Sequence, residues 1–196
     1  MASAGRPRSF DKDEALKKAM YVFWEKGYEG TTMADLIESI GMKAPSIYAA
    51  FGNKDAIFKE VVAHYLPIVA DGQLATLNKT SDIFEAVEKT LSECVRLFTS
   101  SDNPHTCLIM TAAINASPEH HEHVESLRVL RRDYKENWKK RFERAKQEGQ
   151  LKLDLTPKQL SEYFVTIIQG MSLSAKDGAR KEDLAKTSEI AMQILK

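Results

Sequence analysis

Cysteine is scarce: Cys94 and Cys107 are the two in the chain, and no Cys-x-x-Cys pair occurs. A disulfide scaffold is excluded on that count, and a reducing, cytosolic setting is expected. Glycine and proline are also few, nine and six in 196 residues, and they fall between periodic stretches. No run alternates apolar and polar with period two, so nothing reads as a strand. An excess of one charge is missing as well, because 28 Lys and Arg balance 28 Asp and Glu. Any contact with a polyanion must then come from cations gathered locally. No apolar stretch follows the basic opening MASAGRPRSF, so neither a signal peptide nor a membrane span is expected. HExxH, GxSxG and a Gly-rich phosphate loop are all absent, which leaves no basis for an enzyme and none for a cofactor.

What is present reads as helix throughout. The hydrophobic share of 43% and the charged share of 29% suit an ordinary globular protein. Asp11, with Glu14 three residues on, signals a first helix. Ala15, Leu16, Ala19, Met20 and Phe23 build its apolar stripe, and Gly27 is expected to end it. Thr32 caps a second, short helix that carries Met33, Leu36, Ile37 and Ile40 and stops at Gly41. A third spans roughly Ala44 to Ala50, with Pro45 tolerated in its first turn. Asn53 caps a fourth, through Ile57, Phe58, Val61, Val62 and Tyr65, expected to end near Pro67. Longer helices follow at 82–100 and 118–148, a shorter one at 106–116, and two more at 157–176 and 182–195. Ser117-Pro118 and Thr156-Pro157 are matching starts. The expected architecture is all-α, with about nine helices. It divides into a basic arm at 1–9, a helix-turn-helix domain at 10–66 and a second helical domain at 67–196.

Residues 32–51 are the most informative. Two helices of about two turns joined through Gly41 cannot make a core alone and need the first helix as a base. Such a pair leaves its second member exposed, free to enter a DNA major groove. Lys43, Ala44, Ser46 and Ala49 are expected to face outward, Ile47 and Phe51 inward. No acid lies between Glu38 and Asp55, whereas Lys43 and Lys54 do. The outward face offers few base readers: Lys43 can reach guanine, Ser46 is permissive, and Ala44 and Ala49 can meet thymine methyls. One copy would be weakly selective, so a homodimer on a palindromic double-stranded operator is expected.

The stretch GYEGTTMADLIESIGMKAPSIYAAFGNKDAIFKEVVAHY resembles the signature of TetR-family repressors across residues 10–66. The run from Ser46 to Lys54 is similar to that family's S-x-Y-x-x-F-x-x-K. By that likeness Tyr48 sets its hydroxyl on a phosphate, and Lys54 pairs with the backbone at the start of helix four. Thr32 likewise offers its hydroxyl and helix N-terminal N–H groups to phosphate, and Pro45 belongs to the same contact surface. Ile37 departs from the pattern, standing where the family often has Ala, which bears on the crossing angle of the helix pair. The resemblance also implies that the last two helices form a dimer interface. Phe164, Ile168, Met171, Leu184, Ala191, Ile194 and Leu195 are its candidates, and QGMSLSAKDGA resembles a run seen in part of the family. An inducer pocket is implied between helices four and eight, with candidates His64, Tyr65, Phe98, Met110, Ile114, Tyr134, Trp138 and Phe164. Such a lining suits a largely apolar small molecule, although side chains of this kind also make plain core.

A repressor released from its operator by such an inducer is therefore expected. Two other readings remain open. His105, Cys107, His120 and His123 could make the chain metal-responsive, and Cys94 with Cys107 could make a redox switch. Buried, inert thiols answer the second better.

Gly5-Arg6-Pro7-Arg8 adds an arm that can lay guanidinium groups along a narrow minor groove. Replacing Arg6 and Arg8 by Ala is expected to weaken operator binding and to lower its dependence on salt. An unchanged salt slope in a binding titration would count against the arm.

Overall fold

A computed structural model describes residues 11–196, and every regular element within them is helical. No helix there is long and apolar enough to cross a membrane. Arg6 and Arg8 lie outside the described residues.

Helix α1, Lys12–Gly30, starts where the Asp11 carboxylate accepts the N–H groups of Asp13 and Glu14, each at 3.1 Å. Its buried stripe is Ala15, Leu16, Ala19, Met20, Phe23 and Trp24. Gly27 breaks the helical dihedrals at φ 71° and ψ 174°, but one further turn continues to Gly30. The chain thus bends at Gly27 instead of stopping there. Helix α2, Met33–Ile40, is held by a reciprocal cap between Thr32 and Asp35 and ends at left-handed Gly41. Helix α3 is Ala44–Phe51, and α4 is Lys54–Val69, started by the Asn53 side chain accepting the Ala56 N–H at 2.9 Å. Leu36, Ile40, Ile47 and Phe51 are buried and share one apolar cluster with the stripes of α1 and α4. Phe23, Tyr28 and Phe58 lock that base, with Phe58 edge-on to both other rings at 5.0 Å.

The expected stop at Pro67 is corrected. α4 runs through Pro67 and passes via a π turn, Ala70–Leu74, into α5, Ala75–Lys79. Proline costs the Ala63 carbonyl its partner, yet Ala63 and Pro67 both face solvent, where water can take that carbonyl. Helix α6 is Ile83–Thr99.

Helix α7, Leu108–Thr111, is much shorter than 106–116. The Ser172 hydroxyl accepts the Cys107 N–H at 3.0 Å and bonds the Thr106 hydroxyl at 2.8 Å, which holds that segment extended. A 3-10 turn, Pro118–His120, leads into α8, His121–Gln147. Helix α9, Pro157–Lys176, has a reciprocal Thr156–Gln159 cap, and α10, Lys181–Ala191, closes in a 3-10 turn at Met192–Leu195.

The apolar stripes of α9 and α10 are turned into the subunit. α6 packs against both helices and covers them with Val87, Leu91, Cys94, Val95 and Phe98, all buried. Phe164, Ile168, Met171, Leu184, Ala191 and Leu195 are consequently buried within the single chain, and Ile194 is half-buried. For those six the expected place on an intersubunit surface is corrected to the interior, whereas Ile194 keeps part of its surface open. The face that α9 and α10 leave open carries Leu173, 57% exposed, and Ile190, 62% exposed.

A side chain at position 27 would meet two obstacles. The backbone there has a conformation essentially restricted to glycine, and an added Cβ would stand 3.3 Å from the Ala112 carbonyl oxygen. Gly27→Ala is expected to cost about 1–3 kcal/mol, read as a lower urea midpoint at unchanged slope.

Candidate nucleic-acid interface and ligand cavity

The outer face of α3 is small and open. Pro45, Ser46, Ala49 and Ala50 are exposed, Ala44 is half-buried, and Tyr48 is 50% exposed. Ile47 and Phe51 on the opposite side are buried, so the helix rests on its support and presents its other side. Lys43 occupies the N-cap position and is exposed. Its charge adds to the partial positive charge of the helix N-terminus, a combination that suits phosphate.

Two residues of the expected contact set are differently employed. Lys54 Nζ donates to the carbonyls of Tyr28, at 3.2 Å, and Thr31, at 3.1 Å. It also stands 4.2 Å from the centre of the Tyr28 ring. Its backbone partners therefore lie at the end of α1, and the expected pairing at the start of α4 is corrected. The reason is geometric: the last carbonyls of a helix lack intrahelical donors, and an ammonium beside them satisfies two at once. The Thr32 hydroxyl accepts the Asp35 N–H at 3.1 Å and donates to Asp35 Oδ2 at 2.8 Å. Lys26 holds that carboxylate at 2.7 Å, and this bond above all keeps Asp35 ionised far below its usual range.

Behind this face, α1, α4 and α8 meet in a polar joint that the sequence reading did not anticipate. His123 is 1% exposed, and its Nε2 lies 2.8 Å from Asp55 Oδ1. The Tyr28 hydroxyl donates to the same Asp55 oxygen. Glu29 accepts the Ser117 N–H at 2.6 Å and meets His120 Nδ1 at 2.8 Å. The Tyr28 N–H reaches the Ala112 carbonyl at 2.6 Å, and Lys59 pairs with Glu122 at 3.3 Å. Tyr28 and His123 also pack ring to ring, centroids 4.4 Å apart. His120 and His123, considered above as metal ligands, thus belong to a hydrogen-bonded seam, while His105 lies apart with its Nδ1 3.3 Å from the Phe98 carbonyl. Ligand atoms of Asp55, Glu122 and His123 do lie within 4.8 Å of one another, but Asp55 already takes two donors and Glu122 a lysine.

Further from this face lies a partly open cavity of about 290 Å³ walled by α4, the π turn, α7, α8 and α9. Leu66, Val69, Leu74, Ile109, Met110, Leu130 and Val165 make most of its wall, joined by Gln73, Arg131, Asp133, Tyr134 and Asn137. The Tyr134 hydroxyl donates to Gln73 Oε1 at 3.0 Å. Of the eight candidate pocket residues, Met110 and Tyr134 are on this wall. Tyr65, Phe98, Trp138 and Phe164 are instead core: Trp138 and Phe164 stack at 5.7 Å, and Trp24 meets Tyr65 edge-on at 5.1 Å. His64 is half-buried off the wall, and Ile114 is 60% exposed. Gln73 and Val69 went unseen because the helix had been expected to end before them. Cys107 reaches the cavity and Cys94 lies behind, both buried. Burial pushes both thiols up, so neither presents a thiolate near neutral pH, which weighs against the redox reading.

An exposed short helix carried beside α1, α2 and α4, with a further helical body around a partly open apolar cavity, is the arrangement of a helix-turn-helix transcriptional regulator. The family model described as bacterial regulatory proteins, tetR family, matches residues 15–61. The HTH-type transcriptional repressor ComR of Escherichia coli strain K12 is 34% identical over 194 residues, covering 98% of this chain and 92% of ComR. BdcR, another HTH-type transcriptional repressor of that strain, is 24% identical, covering 98% of this chain and 92% of BdcR. Among solved structures, a cysteine mutant of the TetR family transcriptional regulator CifR, complexed with 26-bp double-strand operator DNA, superposes with a TM-score of 0.92. It is 35% identical and covers 98% of this chain and 100% of that one. The chain belongs to the TetR family and is a DNA-binding transcriptional regulator.

The joint carries an acid-side signature. The Ser117 N–H, then His120, bring the Glu29 carboxyl from 4.5 down to about 2. The Tyr28 hydroxyl, then His123, lower that of Asp55. A carboxylate depressed on folding stabilises fully above its unfolded value and loses that contribution as pH falls through its folded value. Stability should therefore decline between about pH 4.5 and pH 2. The double variant Glu29→Gln, Asp55→Asn is expected to be less stable at pH 7 and to show a flatter decline over that window, measured by urea unfolding at stepped pH.

Proposed function

We propose that this protein is a cytoplasmic repressor that binds a palindromic operator as a homodimer and is released when a small, largely apolar molecule occupies the cavity. The observation that carries the reading is the exposure of α3 beside Lys43, with its inner face buried. Lys43, Pro45, Ser46, Tyr48 and Ala49 meet DNA, with Ala44 at the edge. Thr32 contributes through the N-terminus of α2, and Lys54 acts by fixing α1 to α4. Arg6 and Arg8 reach the adjacent minor groove. Pairing is supported by the open face of Leu173 and Ile190 on α9 and α10, since an apolar patch on two adjacent helices favours a second copy.

Release follows from shared walls. α7 and α8 line the cavity, and the same stretch holds the joint to α1 and α4 through Ala112, Ser117, His120 and His123. A ligand that prefers a displaced α7–α8 pays out its preference as altered spacing between the paired α3 helices. A coupling of about 1–3 kcal/mol is typical of such systems.

Footprinting on DNA selected from random sequence is expected to show a protected palindrome. Lys43→Ala should weaken binding across sequences, with the salt slope reduced by about one and the melting temperature unchanged. Absence of any protected palindrome at every ionic strength would remove the reading.

A further inference from the structure

Beside the cavity, α8 and α9 form a groove of about 530 Å³. Arg131 and Gln169 belong to both walls, so the two spaces adjoin at those residues. On a chain without net charge, the groove is one-sided: Arg128, Arg131, Arg132, Lys135, Lys139 and Lys158 face two carboxylates. Those two are already engaged, Glu162 by Lys135 at 2.7 Å and Glu136 by Lys139 at 3.0 Å. Arg128 pairs outside the groove with Glu125, and Arg132 stands 3.9 Å from Asp133 on the cavity rim. Arg131 gives its Nη1 to the Ile109 carbonyl at 2.8 Å, and neither it nor Lys158 has a carboxylate at ion-pair distance among the described residues. Burial and the neighbouring Arg128 both disfavour the charge on Arg131. An anion at that point would relieve both.

The two spaces make different demands, and one kind of molecule meets both. A neutral hydrophobe fills the cavity and leaves the guanidinium uncompensated. A free inorganic anion answers the guanidinium and leaves the apolar wall empty. Tyr134 and Gln73, bonded to each other on the wall, offer polarity without charge. The cavity volume of about 290 Å³ lies at the lower bound of ligand pockets, about 300–1,000 Å³, which selects a compact or single-chain body. We infer that the inducer is an amphiphilic organic anion, its apolar chain in the cavity and its carboxylate headgroup held by Arg131 at the mouth of the groove. This inference rests on the ligand-release reading of the cavity.

Isothermal titration of the full chain with hexanoate, octanoate and decanoate, against the matching alcohols and methyl esters, tests the class. At least one carboxylate is expected to bind at least about tenfold more tightly than its neutral counterparts, the scale of one charge-assisted hydrogen bond. Arg131→Gln should erase that preference while leaving alcohol binding in place. Because Arg131 also bonds the Ile109 carbonyl, Lys158→Gln with Arg132→Gln supplies a second variant without that tie, expected to weaken carboxylates alone. Equal binding of neutral and anionic ligands, carboxylate binding indifferent to both variants, or no binding across the series would each overturn the inference. Operator release, measured in parallel, keeps the two claims apart. Release by the alcohols alone leaves the inducible repressor standing and removes the anion. Carboxylates that bind with full preference and leave the operator occupied uphold the anion site and remove ligand release.

Discussion

Asp55 is the constraint on which the rest depends. One of its oxygens serves both the Tyr28 hydroxyl of α1 and the His123 imidazole of α8, while its neighbour Lys54 holds the last carbonyls of α1. A single turn of α4 thereby gathers three helices from distant parts of the chain. A buried imidazole without a partner costs about 1–3 kcal/mol, so His123 cannot drift from Asp55 without penalty. Because α2 packs on α1 and the buried side of α3 shares their apolar cluster, the aim of α3 depends on the orientation this knot enforces.

The same economy of parts appears around the cavity. α4 supplies its first turn to the joint and its last turns to the wall, and α8 likewise gives its first turn to the joint and its middle, from Leu130 to Asn137, to the wall. Each of the two helices thus runs from the cavity wall to the joint behind α3. The π turn at Ala70–Leu74 lies on the wall, at the place where α4 would otherwise continue regularly. Widened turns of this kind occur most often at functional sites.

Local signals were legible in the sequence and cross-chain ones were not. Caps and stops at Asp11, Thr32, Gly41, Asn53 and Thr156 fell where side chains and glycine dictate, because those rules involve neighbours within four residues. The inward turn of Ile47 and Phe51 followed from spacing for the same reason. Pro67 misled because the rule against internal proline presumes a buried carbonyl behind it, and here that carbonyl faces water. Phe164, Ile168 and Leu184 are apolar residues on the last two helices, but only the position of α6 decides whether such a face meets another subunit or its own chain. For Lys54 the resemblance implies a backbone partner at the start of α4, and only the fold brings the Tyr28 and Thr31 carbonyls beside it instead. Nothing in the spacing of His123 and Asp55, 68 residues apart, announces that they touch.

The division of labour within α3 bears on how such regulators diversify. Ile47 and Phe51 carry the packing, while Ser46, Ala49 and Ala50 carry almost none. Substituting a longer reader such as Arg or Gln at Ala49 or Ala50 disturbs no core contact, and on the proposed DNA-facing side it would add a base-edge contact worth about 1–3 kcal/mol of discrimination. Target choice can therefore wander through descendant lineages while the scaffold beneath stays put.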